Sequence, residues 1–327
     1  MAFSMTHSEF VHNTFDEKWC VEFLIQNKIF ESSIDCPKCG NKIILNRESL
    51  TFRCHKRINV AKNKRKRKSQ NCNYYQSVKT GTWFQFSNLP LSTVCKFIAH
   101  FLWIPVPRVS TDIYTYISED LLLSSRTVVD WSSFCRELCV YWCENYSEKI
   151  GGPDKIVEID EAKFGKRKYN RGRLIKSKWV FGGYERGSKK IFIMPVEDRT
   201  ADTLLTCIQQ WILPGTKIMS DKWKAYDCLT NAGFNHLTVN HSINFVDPDT
   251  GAHTQSIERT WREVRNNVSK YGTRESHLIS YLAEYMFKRA HPLQERIYEF
   301  FKIMKEFQKD MIADKIFNEN ADGGAPD

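Results

Sequence analysis

The sequence predicts an α/β fold, a mixed sheet with helices on both faces, preceded by a small cysteine-bearing module and a helical region. Three observations predict it. From residue 154 onward, apolar runs with strand periodicity give way to alternating helical and strand patterns. Upstream, Cys36, Cys39, Cys54 and Cys72 are spaced like the ligands of one metal ion. Between these regions, 88–150 carries helical periodicity broken at Pro105 and Pro107.

The elements follow in chain order. In 1–35, Trp19, Cys20, Phe23 and Leu24 predict one amphipathic helix over about Asp16 to Lys28. Residues 36–86 are basic and rich in turn formers. Within 88–150, helices are expected over Leu91 to Trp103, Ser110 to Glu119, and from Ser124 or Ser125 as N-cap through Tyr146. The short connection before the third makes the group helix-turn-helix-like. On its face, Cys135, Cys139 and Cys143 recur every four residues, the spacing of buried small hydrophobes.

In 154–275, strands are expected over Lys155 to Glu161, Ser177 to Tyr184 and Lys190 to Val196, then a helix over Ala201 to Ile212. A strand at Thr216 to Ser220, a helix at Lys222 to Asn231 and a strand at Asn235 to Val239 come next. The last helix is Thr254 to Lys270, with Thr254 as its cap and Ile257, Trp261, Val264 and Val268 as its buried stripe. The order β-β-β-α-β-α-β-α describes the ribonuclease H-like arrangement. Beyond it, 276–317 is read as C-terminal helices (Leu278 to Gln308 helical) and 318–327 as a disordered tail.

Composition narrows the function classes. The chain has 327 residues, 42% hydrophobic and 13% aromatic, enough to bury a core and too long for one small module. No apolar run reaches the roughly 18 residues of a membrane span, and Met1 to Glu17 lacks the apolar stretch of a signal peptide. The expectation is a soluble intracellular protein with no membrane partner. Eleven cysteines, an odd number, without a secretory leader argue against a disulfide scaffold. Net charge is +10, yet no acid occurs between Glu48 and Asp112, where twelve Lys and Arg side chains lie. The whole basic excess is therefore in that block, which points to a polyanion such as DNA.

Three acids stand at the framework's critical places. Asp160 lies in the first strand, Asp221 directly follows the fourth, and Glu258 opens the last helix. Singly, each has an ordinary fate as a turn former, a cap or a helix-dipole acid. Together, if the first and fourth strands are parallel neighbours, the two aspartates emerge side by side and the helix delivers the glutamate. Carboxylates so crowded repel unless cations neutralise them. Hard divalent ions prefer such oxygens, and a pair of Mg²⁺ or Mn²⁺ ions suits in-line phosphoryl displacement.

The residues around these acids resemble a known family. The run Val239-Asn240-His241-Ser242-Ile243-Asn244-Phe245-Val246-Asp247-Pro248, with Thr250-Gly251-Ala252-His253-Thr254-Gln255-Ser256-Ile257-Glu258-Arg259-Thr260-Trp261, resembles the core signature of Merlin-type DDE transposases and their bacterial insertion-sequence relatives. So do Val157 to Gly165, Gly182-Gly183 and Ser220 to Tyr226, and the resemblance spans about Ser32 to Ala290. It implies that Asp160, Asp221 and Glu258 are catalytic, metal-holding acids. It further implies binding of terminal inverted repeats in double-stranded DNA, hydrolysis at the element's ends, and attack of the freed 3′-hydroxyl on target DNA. A homodimer or larger assembly follows from joining two ends in one event. His241 falls in the same signature, as a DNA-contacting or supporting group or a core histidine.

Cys36-Pro37-Lys38-Cys39-Gly40 has the form of a zinc knuckle. Cys54 and Cys72 are expected to complete a Cys₄ zinc ribbon, with the insertion Ala61 to Gln70 looped out. His55 is the rival fourth ligand. Cys72 is preferred because Asn71-Cys72-Asn73 leads into Ser77 to Phe84, as the ribbon of the resembled family ends. In the insertion, Lys62, Lys64, Arg65, Lys66, Arg67 and Lys68 suit DNA phosphates and also a nuclear localisation signal. The expected location is the nucleus in a eukaryote, otherwise the cytoplasm on DNA. Arg126, Arg259, Arg262 and Arg265 are further DNA-contact candidates. The competing function is a host-captured, transposase-derived DNA-binding protein without catalysis. A structure-selective nuclease on the same fold would cut without joining.

Overall fold

The computed structural model describes residues 5–59, 69–103, 111–165, 178–240, 243–268 and 275–322. The basic run Lys62 to Lys68 and His241 lie outside these residues. The chain divides into two compact units, Met1–Trp103 with Leu293–Asp327, and Ile104–Pro292.

In the first unit, α1 (His7–Asn13) precedes α2 (Glu17–Gln26). Thr6 and Glu9 form a reciprocal capping box that starts α1, a helix not read from periodicity because it has only seven residues. Asp16 caps α2, which ends two residues before the expected Lys28, where the backbone turns left-handed. The Glu17 carboxylate accepts the backbone N–H groups of Leu91 and Ser92, each at 2.8 Å, and so caps α3 (Leu91–Trp103). The long α9 (Leu293–Asp322) packs on α1 and α3, and Phe10, Phe23 and Phe301 interlock at its centre.

Three antiparallel strand pairs lie between α2 and α3. They are β1 (Ser33–Asp35) with β2 (Lys42–Ile44), β3 (Thr51–Arg53) with β6 (Tyr75–Ser77), and β4 (Arg57–Asn59) with β5 (Ser69–Asn71).

The second unit holds α4 (Thr111–Asp120) and α5 (Ser125–Tyr146), the latter capped by Ser124, whose hydroxyl accepts the Thr127 N–H. The three helices read together in 88–150 are thus divided between the units. The reason is packing: α3 buries its apolar residues with α1, α2 and α9, whereas α5 packs along α8 (Glu275–Ala290). The buried Arg136 guanidinium of α5 donates to Glu284 of α8 at 2.8 Å and to the Tyr114 hydroxyl at 2.7 Å. The helical stretch expected from Leu278 to Gln308 is divided at His291 and Pro292. Proline disfavours helical geometry in the residue before it. The helix beyond the break, α9, continues to Asp322, past the point where the tail was expected.

The short β7 (Ile150–Gly151) and β11 (Ile212–Leu213) pair beside the main sheet. That sheet has five strands: β8 (Ile156–Phe164), β9 (Lys178–Glu185), β10 (Ile191–Val196), β12 (Lys217–Asp221) and β13 (Asn235–Val239). Their spatial order is β10-β9-β8-β12-β13; β9 is antiparallel to both neighbours, and β8, β12 and β13 are parallel. The expected mixed sheet is therefore present, with the first strand central.

Alternation along β8 sorts its side chains between two layers. Val157 and Ile159 join Leu204 and Ile208 of α6 (Ala201–Trp211). Ala162 and Phe164 join Ile257, Trp261 and Val264 of α7 (Gln255–Asn267), with Leu278 and Leu282 of α8. The helix expected over Lys222 to Asn231 is instead one 3₁₀ turn, Lys224–Tyr226, followed by tight turns. Tyr226 and Leu229, three apart, are both drawn into the core, which suits 3₁₀ rather than α spacing.

Candidate active site

Asp160 lies in the middle of β8, not near its end, because the strand runs on to Phe164. The parallel pairing of β8 with β12 matches Ile218 to Val157 and Met219 to Glu158. Continuing that register by two residues sets Asp221 beside Asp160. Residues matched across parallel strands share a face, and Ile218 and Val157 do share the α6 layer. Asp160 and Asp221 therefore belong to the opposite face, the one covered by α7. Beyond Glu158 the described pairing with β12 stops, so Asp160 sits where β8 gains an open edge.

The electrostatics match this geometry. Burial, then the charges of Glu161 and Asp221, raise the Asp160 carboxyl from 3.8 to about 7. The indole N–H of Trp261 donates to Asp160 Oδ2 at 3.0 Å and works in the opposite direction. Gly182, opposite Asp160 on β9, makes room for that indole. A Cβ there would lie 2.8 Å from the ring of Trp261 and 3.0 Å from the Phe192 carbonyl oxygen. The neighbouring Gly183 has a different close approach, since a Cβ there would lie 2.4 Å from the Phe192 ring.

Glu258 stands in the first turn of α7, and its carboxylate accepts the Thr254 hydroxyl at 3.1 Å. The expected cap is corrected here. Thr254 makes no capping bond to the helix backbone. Its place is taken by Glu158, fully buried on β8, whose Oε2 accepts the N–H groups of Ser256 at 2.7 Å and Ile257 at 3.1 Å. Its Oε1 accepts Arg186 Nε at 2.7 Å, and Arg186 Nη2 donates to the His253 carbonyl at 2.9 Å. A charged carboxylate on a helix N-terminus is favoured by the macrodipole as well as by the hydrogen bonds.

On the other face of β8, Glu161 accepts the buried Tyr226 hydroxyl and lies 3.9 Å from Arg199. Burial is the main cause that raises its carboxyl, with the Asp221 charge adding to it. The Arg199 guanidinium lies between the indoles of Trp179 and Trp223, at 3.9 and 4.7 Å from their ring centres. Sequence reasoning singled out none of Glu158, Glu161, Arg186 and Arg199. The available signal was the run of acids around Asp160 in a strand buried on both faces.

The other candidates are more dispersed. Arg259, Arg262 and Arg265 are exposed along α7; Arg259 pairs with Glu263 at 3.5 Å, and Arg265 lies over the Phe164 ring. Arg126 is exposed in the first turn of α5. Among the described residues, one group of potential ligands gathers within 4.8 Å: Cys36, Cys39, Cys54 and Cys72. The three acids are not drawn that close together. In the cysteine group, the Cys36–Cys72 and Cys39–Cys54 sulfur pairs are 3.5 Å apart. A tetrahedron with roughly 2.3 Å zinc–sulfur bonds has edges of about 3.8 Å, so the donor set fits that ion. Burial acts to raise the Cys36 thiol, but the Lys38 N–H and the Cys72 and Cys39 sulfurs bring it down to about 7. His55 is exposed and outside the group. No helix among the described residues is long and apolar enough to cross a membrane.

Comparison with known proteins bears on the second unit. Residues 150–290 match the family model of the ISXO2-like transposase domain. An uncharacterized transposase-like protein of Haemophilus influenzae (strain ATCC 51907 / DSM 11121 / KW20 / Rd) is 26% identical over 96 residues, 29% of this chain and 76% of the relative. Solved structures with similarity include the catalytic core domain of BIV integrase, at 16% identity and a TM-score of 0.27, covering 39% of this chain and 80% of that one. The HTLV-2 integrase catalytic core domain in complex with magnesium has 15% identity and a TM-score of 0.24, covering 46% of this chain and 83% of that one. The family match and the bacterial relative support a transposase, and the matched segment is the one that carries β8, β12 and α7.

Proposed function

We propose that this chain is a DDE transposase of Merlin type, with Asp160, Asp221 and Glu258 as its catalytic acids. The observation that carries the proposal is the register that sets Asp221 beside Asp160 on the face covered by the Glu258 helix. Oxygen-only donors, two of them mutually repelling, fit hard divalent cations such as Mg²⁺ or Mn²⁺. Cations bound there would neutralise the acids and polarise the scissile phosphate. Trp261 orients Asp160, and the exposed arginines of α7 are available to the DNA backbone. Water and then the freed 3′-hydroxyl serve as nucleophiles, so the same acids suit both end cleavage and joining to target DNA. The Cys36, Cys39, Cys54 and Cys72 group would hold one structural Zn²⁺. The substrate is double-stranded DNA bearing the terminal inverted repeats, acted on by a dimer or larger assembly. The run Lys62 to Lys68 adds phosphate contacts and, in a eukaryote, nuclear import.

The test is incubation of the purified protein and Mg²⁺ with a duplex carrying the terminal repeat of its own element, resolved on a denaturing gel. Cleavage at the repeat boundary with joined products is expected. Tight binding without cutting in Mg²⁺ or Mn²⁺ would instead identify a captured DNA-binding protein, and cutting without joining a nuclease.

A further inference from the structure

Glu158 has a role that its position two residues before Asp160 conceals. It is fully buried, yet it belongs to no apolar cluster and does not point to solvent. Alternation along β8 puts it on the same face as Asp160. There it meets the amino end of α7, a helix that begins almost a hundred residues later in the chain. One carboxylate oxygen takes two backbone N–H groups, those of Ser256 and Ile257, immediately before Glu258. The other takes Arg186, which also reaches back to the carbonyl of His253, just ahead of the helix. Arg186 itself follows β9, and its own N–H is bound by the Ile156 carbonyl at the start of β8. The entry of α7 is therefore tied to β8 from both sides, and its own threonine does not cap it. One turn on, Trp261 makes the second tie, to Asp160.

We propose that Glu158 is a positioning residue: with Arg186 it locks the turn that carries Glu258 onto the strand that carries Asp160, fixing the geometry in which these acids share divalent cations. The proposal rests on the assignment of those acids given above. A lock of this kind matters because carboxylates that repel must be held by something other than each other. Groups that orient metal-holding carboxylates without touching the metal typically change affinity by about 10- to 100-fold when altered. In Glu158→Gln, the side chain keeps its volume but presents an amide N–H₂ where an acceptor is needed, either to the α7 backbone or to Arg186.

The experiment measures Mn²⁺ binding to the full chain by the loss of the free-ion electron paramagnetic resonance signal, beside thermal melting and DNA binding. Wild type, Asp160→Asn, Glu158→Gln and Arg186→Lys are compared. Glu158→Gln is expected to weaken Mn²⁺ binding by about tenfold or more, with DNA affinity within a few-fold of wild type. Arg186→Lys, which keeps one ion pair but loses the planar fork, is expected to show a smaller loss in the same direction. A folded Glu158→Gln with a lower melting temperature and wild-type Mn²⁺ affinity would overturn the proposal, leaving Glu158 a purely structural cap. If that variant does not fold, Arg186→Lys decides, and unchanged affinity there overturns it equally. If Asp160→Asn also binds Mn²⁺ as wild type does, the assignment of the acids fails and the lock with it. Loss in Asp160→Asn without loss in the Glu158 and Arg186 variants removes the lock alone.

Discussion

At Asp160, a carboxyl normally half-ionised near 3.8 is held up at about 7 by burial and by the charges of Glu161 and Asp221. The consequence for stability has a definite sign. Below about pH 4 the group is protonated in the folded and the unfolded chain alike. Between about 4 and 7 the unfolded chain ionises and the folded one resists, so the folded state loses stability as pH rises, by up to roughly 4 kcal/mol. The melting temperature without added Mg²⁺ should therefore fall between pH 4.5 and 7.5 more steeply in wild type than in Asp160→Asn. Added Mg²⁺ should remove the difference, because it binds the ionised form. Parallel curves for the two proteins would show that Asp160 carries no such penalty. Asp160, Asp221 and Glu258 were singled out in the sequence from expected places at strand and helix ends, although β8 runs on to Phe164 and carries Asp160 in its middle. Glu158 was not, because a buried carboxylate whose partners lie 28 and 98 residues away leaves no local pattern. The capping expectation for Thr254 failed for the same reason: a distant charged acceptor displaced the local hydroxyl.

Elements read by apolar periodicity were found where the period was sustained, as in α3, α6 and the stripe Ile257, Trp261 and Val264 of α7. They were missed where packing competes with local preference. Lys222 to Asn231 has helical length, yet burial of both Tyr226 and Leu229 tightens it into 3₁₀ and turns. The cysteine group is the opposite case, since the Cys36–Cys39 spacing, with the family resemblance that preferred Cys72 to His55, named the four sulfurs that the fold brings together. Its test is metal content. Cys72→Ser should lower bound zinc from about one ion per chain to well under half, with a marked loss of thermal stability, since structural zinc contributes directly to folding. His55→Ala should retain the full complement. Zinc lost in His55→Ala and kept in Cys72→Ser would reverse the assignment.

Across the whole molecule, charge and topology point to the same partner. The net charge of +10 is accounted for by one acid-free block of the sequence, whose basic residues other than Arg108 fall in the first unit, while the paired acids lie in the second. On the proposed function, segregation of this kind keeps the charges that would attract phosphates apart in the sequence from the acids that would hold cations. If the six positive charges from Lys62 to Lys68 each neutralise a phosphate, deleting them should reduce the slope of log affinity against log salt by about five. An unchanged slope would place the run away from DNA. The division of 88–150 between two units was not legible, because it depends on which distant helices, α9 or α8, cover each apolar face.

As a proposed catalytic acid, Asp160 should serve chemistry and not binding. Strand cleavage and DNA affinity of Asp160→Asn, measured on the same terminal-repeat duplex in Mg²⁺, test it most directly. Cleavage reduced by a factor of at least about a thousand, roughly 4 kcal/mol in the barrier, with affinity within a few-fold is predicted. Cleavage at the wild-type rate would exclude Asp160 from the chemistry.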